Sequence, residues 1–242
     1  MFKIFVCLAM AFILPINSHI NLIEESPVIA LVSADGFMYK DREMKRPFVE
    51  VLSGDRVEIL EDYSKKVYKV YHLEHNVAGW VLGDILAFPD NAETDTTTLT
   101  AEQLECFVNN KNYVSQTDYL ILTEINRQKT HIFQLNDDTW KLINSFDCAT
   151  GSNTSPTTRG VFEIDDRGDW FYSERLKSGG AFWIRFNGNY LFHSIPMDKQ
   201  KNIIEDEAMV GKRISSGCIR LMPDDIRWIY DNIPDKTLVV II

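Results

Sequence analysis

The chain is short of cysteine, of positive charge and of long apolar runs, and each shortage excludes something. Only four cysteines occur in 242 residues, Cys7, Cys106, Cys148 and Cys218, too few for a disulfide-stapled scaffold. They form no paired-cysteine zinc motif, and the chain has neither an HExxH sequence nor a glycine-rich phosphate loop, so no metal and no cofactor is expected. With 35 acidic residues against 25 basic ones the net charge is −10, which gives no support to a nucleic-acid partner or to an anionic membrane surface. The one long apolar run, Ile4 to Pro15, is too short to span a bilayer. Lys3 precedes it and Ile16-Asn17-Ser18 follows, so residues 1–18 read as an export signal cleaved near Ser18. An uncleaved anchor or a buried first strand is the alternative. Export would put a membrane-free mature protein in the periplasm or cell wall, and would remove Cys7. An odd count of three cysteines then remains. Either Cys106 pairs with Cys148 or the two are separate buried thiols.

What is there is the composition of a globular protein, 45% hydrophobic and 25% charged. The 12% aromatic share suits strand-rich folds. Residues 26–88 carry about five short apolar strands broken by turns such as Ser53-Gly54-Asp55, the pattern of a small barrel. That turn, with Gly79-Trp80-Val81 near the end, resembles the bacterial SH3-like domain. His72 and His75 read as solvated turn residues rather than metal ligands. Residues 89–112 form a threonine-rich linker and a short helix, with Thr100 and Gln103 placed as a capping box.

Strands resume over 113–242. Asn136-Asp137-Asp138 and Asn187-Gly188-Asn189 mark hairpin turns. Pro223-Asp224-Asp225 opens a helix whose apolar face is Ile226, Ile229, Tyr230 and Ile233. His131 lies in an alternating strand and reads as an ordinary strand residue. Two stretches stand out. Arg213-Ile214-Ser215-Ser216-Gly217-Cys218-Ile219-Arg220-Leu221 sets a cysteine behind a glycine and two serines. Tyr190-Leu191-Phe192-His193-Ser194-Ile195-Pro196 ends an aromatic strand in a histidine. One nucleophile and one base of this kind point to a thiol acyltransferase or hydrolase.

Together with Cys148-Ala149-Thr150-Gly151 and Pro156-Thr157-Thr158-Arg159-Gly160-Val161-Phe162, these stretches resemble the L,D-transpeptidase (YkuD) catalytic domain. The resemblance implies a mainly β fold: a small SH3-like barrel, then an L,D-transpeptidase-type β-sandwich with a few short helices. It implies cross-linking of peptidoglycan stem peptides through an acyl-enzyme on Cys218, with His193 as proton acceptor and donor. Ser194 follows the histidine as in many members. Carbapenem-type inhibitors are expected to acylate the same cysteine. A neighbouring imidazolium would lower the thiol's pKa from about 8.5. Backbone N–H groups around Gly217 and Cys218 would form the oxyanion hole. Arg220 would pair with a substrate carboxylate or with an internal acid. Two departures stand beside this. Ser216 occupies the place of a second histidine, and 25 positions separate His193 from Cys218 (218 − 193). The charged 197–212 segment is then a lid, a short helix or a surface insertion. Water in place of an amine would make the enzyme an L,D-carboxypeptidase, and loss of catalysis would leave a peptidoglycan-binding scaffold. A cysteine peptidase of the NlpC/P60 type would have its cysteine before its histidine.

Overall fold

Alternating apolar residues build the first sheet of this computed structural model, which describes residues 22–174, 176–204 and 209–242. The expected export signal lies outside them. The strands β1 (Ile29–Val32), β2 (Gly36–Tyr39), β3 (Pro47–Val51), β4 (Arg56–Tyr63), β5 (Val67–His72), β6 (Val77–Leu82) and β7 (Leu86–Ala87) pair in the order β3-β2-β6-β5-β4-β1-β7. Val57, Ile59, Tyr68, Val70 and Val81 point to one side, and with Met38 and Val51 they form a separate core. His72 belongs to this interior. It has no solvent exposure, contrary to the solvated reading. Asp55 accepts from its Nε2 at 3.1 Å, and the N–H groups of Glu74 and His75 donate to its Nδ1. Buried polar atoms need such partners, and these come from the turn that His72 itself begins and from the strand opposite.

After the linker, α1 (Ala101–Asn110) starts with the expected capping box between Thr100 and Gln103. Next come β8 (Tyr119–Glu124), β9 (Lys129–Asn136), β10 (Thr139–Gly151), β11 (Gly160–Glu163), β12 (Arg167–Ser173), β13 (Ser178–Asn187) and β14 (Tyr190–Ser194). The chain closes with β15 (Arg213–Ser215), β16 (Ile219–Leu221), α2 (Pro223–Asn232) and β17 (Leu238–Ile241). Their sheet runs β11-β17-β8-β9-β10-β16-β14-β13-β12, with β15 beside β10. Strand makes up 46% of the described residues, beside two short α-helices, so the fold is mainly β.

The long strand β10 explains the shape. Its first part pairs with β9 through Thr139–Asp147, and its end, Cys148–Gly151, pairs with β16 and β15. The sheet therefore folds over along β10. Ile121 and Ile132 of the first half meet Ile184, Phe192, Ile219 and Leu221 of the second across one core, and α2 adds Ile226 and Ile229. The outer face of β8, β9 and β17 is covered by α1 through Leu104, Phe107 and Val108. Ile23 joins that same outer cluster, so α1 and the residues before the first sheet pack as part of the second half rather than as a spacer.

Cys106, Cys148 and Cys218 are all free thiols. Burial pushes the Cys148 pKa up to about 12, which leaves that thiol inert. The described parts of 197–212 contain no helix; Met197 instead bridges Gly179 and Ile203. No described helix is long and apolar enough to cross a membrane.

Candidate active site

Register brings the two sequence motifs together. β14 and β16 run parallel, with Phe192 opposite Ile219, His193 opposite Arg220 and Ser194 opposite Leu221. Side chains alternate along each strand, so Phe192, Ile219 and Leu221 turn into the core. His193, Arg220 and, one step before the strand, Cys218 share the other face.

His193 is 6% exposed, and its Nδ1 lies 2.6 Å from the Ser194 carbonyl oxygen. A carbonyl only accepts, so Nδ1 carries the hydrogen and the neutral ring keeps its lone pair on Nε2. Burial first, and then the positive charge of Arg220, lower the His193 pKa to about 4. The ring is thus a neutral base at physiological pH. Phe171 meets it edge-on at 5.1 Å. Behind it lies Gly180, where a Cβ would come within 2.6 Å of Nδ1. Sequence reading passed over both residues; the Gly179-Gly180 pair inside a strand was the available signal.

Ser194 acts through its backbone. Its hydroxyl is fully buried, donates to Ile195 O at 2.9 Å and accepts from Ala181 N–H at 2.9 Å. It is therefore engaged in holding the strands and does not face the reacting atoms.

Cys218 is partly exposed, and desolvation of its thiol raises its pKa. The Leu191 N–H and the charges of Arg220 and Arg185 act the other way without reversing that. The resting pair is a thiol and a neutral imidazole, which corrects the expectation of a thiolate beside an imidazolium. The thiol donates to Asn189 O at 3.7 Å, and it makes no such contact with His193. Asn189 comes from the turn between β13 and β14, and only the folded hairpin reveals it.

Gly217 has φ +105°, and a Cβ there would lie 2.8 Å from the Tyr190 ring. Only glycine fits this left-handed, crowded position. Its N–H donates to Ser215 Oγ at 3.1 Å, Ser215 Oγ donates to Cys218 O at 2.5 Å, and Thr157 donates to Gly217 O at 2.7 Å. The turn is thereby fixed, but the Gly217 N–H is already used. This moves the expected oxyanion donor to the N–H of Cys218. Ser216 is exposed and lines a cavity of about 250 Å³ together with Asn189 and Tyr190. Arg220 is partly buried and acts here as a charge beside both reactive groups. Among the described residues no cluster of side chains fits a metal ion.

Comparison with known proteins places the chain in a family. YciB of Bacillus subtilis (strain 168), whose name assigns it provisionally to the L,D-transpeptidases, is 44% identical over 89 residues, 35% of this chain. The chain spans 46% of YciB, less than half its length. A fused Zn-dependent amidase/peptidase/peptidoglycan-binding-domain protein from Clostridium acetobutylicum ATCC 824 is 28% identical, over 62% of this chain and 65% of that one, with a TM-score of 0.46. An L,D-transpeptidase from Stackebrandtia nassauensis is 19% identical, over 55% and 59%, with a TM-score of 0.42. The model of the YkuD L,D-transpeptidase catalytic domain matches residues 118–241, just over half of the chain, and the protein belongs to that family.

Proposed function

We propose that this protein is an exported L,D-transpeptidase that acts on peptidoglycan stem peptides through a thioester on Cys218, with His193 as its base. The observation that carries the reading is the shared face of β14 and β16. There a neutral imidazole with Nε2 as its lone pair lies diagonally across one strand pairing from a thiol at a glycine turn.

Because the resting thiol is protonated and the imidazole neutral, proton transfer must accompany attack. For this the Cys218 side chain must leave Asn189 O and reach His193; catalytic hydrogen bonds often close only when substrate is present. The sulfur attacks the carbonyl carbon between the third residue and D-alanine of the donor peptide while His193 takes the thiol proton. The tetrahedral oxyanion falls to the Cys218 N–H; one such donor typically lowers the barrier by about 3 kcal/mol. Collapse breaks the C–N bond, and the imidazolium protonates the departing amine. The acceptor amine then attacks the thioester and gives its proton to His193, which returns it to the sulfur. The N-terminal antiparallel sheet supports an SH3-like domain as the first half. The test is intact-mass analysis after incubation with a tetrapeptide muropeptide or a carbapenem. Wild type should gain a covalent adduct, and Cys218→Ala should gain none. An adduct on the variant, or none on wild type, would remove Cys218 from the chemistry. Adding amine acceptors after the adduct forms separates transpeptidation from release by water.

A further inference from the structure

The cavity of about 250 Å³ beside Cys218 is not built by the catalytic half alone. One wall is the Asn187–Tyr190 turn and Ser216; the other comes from the N-terminal sheet, with Arg42, Asp62, Tyr63 and Trp80. Asn189, in the first wall, holds the Cys218 sulfur. Tyr190 joins the walls: its ring packs against Gly217, and its hydroxyl accepts from the Asp62 N–H at 3.4 Å. The cavity therefore lies next to the nucleophile, through Asn189 and Ser216 of its lining.

Its charges are specific in kind. Asp62 accepts from the Lys65 N–H at 2.6 Å and from the Ser155 hydroxyl. Neither partner is a cation. Its neighbour Glu61 is already paired with Lys69 at 3.1 Å. Arg42 lies over the Tyr63 ring with its guanidinium carbon 4.1 Å from the centroid, and it makes a long, solvent-exposed ion pair with Glu43 at 3.9 Å. Stacking of this sort fixes a guanidinium and leaves its edge for a carboxylate. The cleft thus offers two carboxylates, Asp62 and the Lys69-paired Glu61, and the Arg42 guanidinium beside Tyr63, Tyr190 and Trp80.

We infer that the N-terminal sheet forms the acceptor-binding wall of the active site and selects a zwitterionic amino-acid or peptide end, its ammonium toward Asp62 and its carboxylate toward Arg42. This rests on the proposed acyl transfer: the bound ammonium gives one proton to solvent before the free amine attacks the thioester, and the wall adds recognition of that acceptor. Arg42 and Asp62 are specificity residues that hold the acceptor, and Tyr190 is a positioning residue.

The experiment starts from preformed Cys218 adduct, so donor loading drops out of the rates. Its loss is followed by intact mass after adding D-methionine, which carries both charges, or D-methionine amide, which carries only the ammonium. Wild type should consume the adduct about 10-fold faster with the zwitterion, the scale of one hydrogen-bonded charge contact. Arg42→Ala should bring that ratio close to one, and Asp62→Asn should slow both acceptors. An equal rate for the two acceptors in wild type, or an unchanged ratio in Arg42→Ala, would overturn the inference. If wild type forms no adduct at all, the proposed reaction fails and the cleft is judged by binding. D-methionine should then quench tryptophan fluorescence in wild type at lower concentration than in Arg42→Ala, and equal affinity would overturn the inference.

Discussion

At the scale of single residues, the pKa of His193 has consequences for both stability and rate. Folding lowers it from 6.5 to about 4. Between those values the unfolded chain binds a proton that the folded chain refuses, so stability falls as pH drops through this window. The full contribution is about 3 kcal/mol, present above pH 6.5 and lost by pH 4. Thermal melts of wild type and His193→Gln across pH 4–7 check this. The wild-type melting temperature should fall more steeply, and parallel curves would assign the loss to carboxylates instead. The same shift keeps the base functional well into mild acid, so the acid limb of kcat/KM should lie nearer pH 4 than 6.5. Gly180 tests the ring's placement. In Gly180→Ala the new methyl meets Nδ1 at 2.6 Å, in the space that the ring needs to reach Ser194 O. Activity should fall at least about 10-fold, while overpacking costs about 1–3 kcal/mol. Kinetics set beside a denaturant melt separate the two effects.

At the scale of elements, local patterns were legible and cross-strand partners were not. The capping box of α1, the proline and acids opening α2, and the two-residue turn at Asp137 and Asp138, both at positive φ, all follow from neighbours in sequence. His131 shows the opposite case. Its alternating context correctly marks a strand, but its side chain is 5% exposed. Its Nε2 donates to Glu124 Oε1 at 2.9 Å, and Ser145 Oγ donates to its Nδ1 at 2.8 Å. Glu124 in turn receives Arg127 at 2.6 Å. Such a network depends on register between β8, β9 and β10, which no single strand discloses. The same limit applied to the site: the motifs named Cys218 and His193, but the Asn189 carbonyl and Gly180 arrive from β13 and its turn. Removing the Glu124 carboxylate leaves the buried His131 Nε2–H without its acceptor, at a cost of about 1–3 kcal/mol, while Arg127 keeps Asp95 at 2.9 Å. Glu124→Ala should therefore destabilise by about 1–3 kcal/mol. Glu124→Gln, which keeps an acceptor for His131, should cost less. Urea unfolding midpoints at constant m-value decide between these outcomes.

At the scale of the molecule, the two halves are joined by polar contacts. Arg159 reaches Glu25 at 2.5 Å and also pairs with Glu58, Tyr68 donates to Thr154 O at 2.8 Å, and Arg213 donates to Ser26 at 2.7 Å. The catalytic half also depends on chain that precedes its family match at 118–241. Leu104, Phe107 and Val108 of α1, with Ile23, cover the apolar face made by Leu120, Leu122, Phe133 and Val240. Each such side chain is worth about 1.5–3 kcal/mol when buried. Removing the three from α1 alone forfeits about 5–9 kcal/mol, as much as the entire stability of many domains. A chain beginning at residue 113 should thus fail to fold, and the exposed face of β8 and β9 should drive it to aggregate. A chain beginning at residue 97 keeps the helix and its cap, and it should recover near-UV circular dichroism and a cooperative melt. If both truncations melt alike, α1 contributes nothing to the second core. If the longer chain folds and still forms the Cys218 adduct, yet no longer distinguishes D-methionine from its amide, chemistry and acceptor choice reside in different sheets of one enzyme.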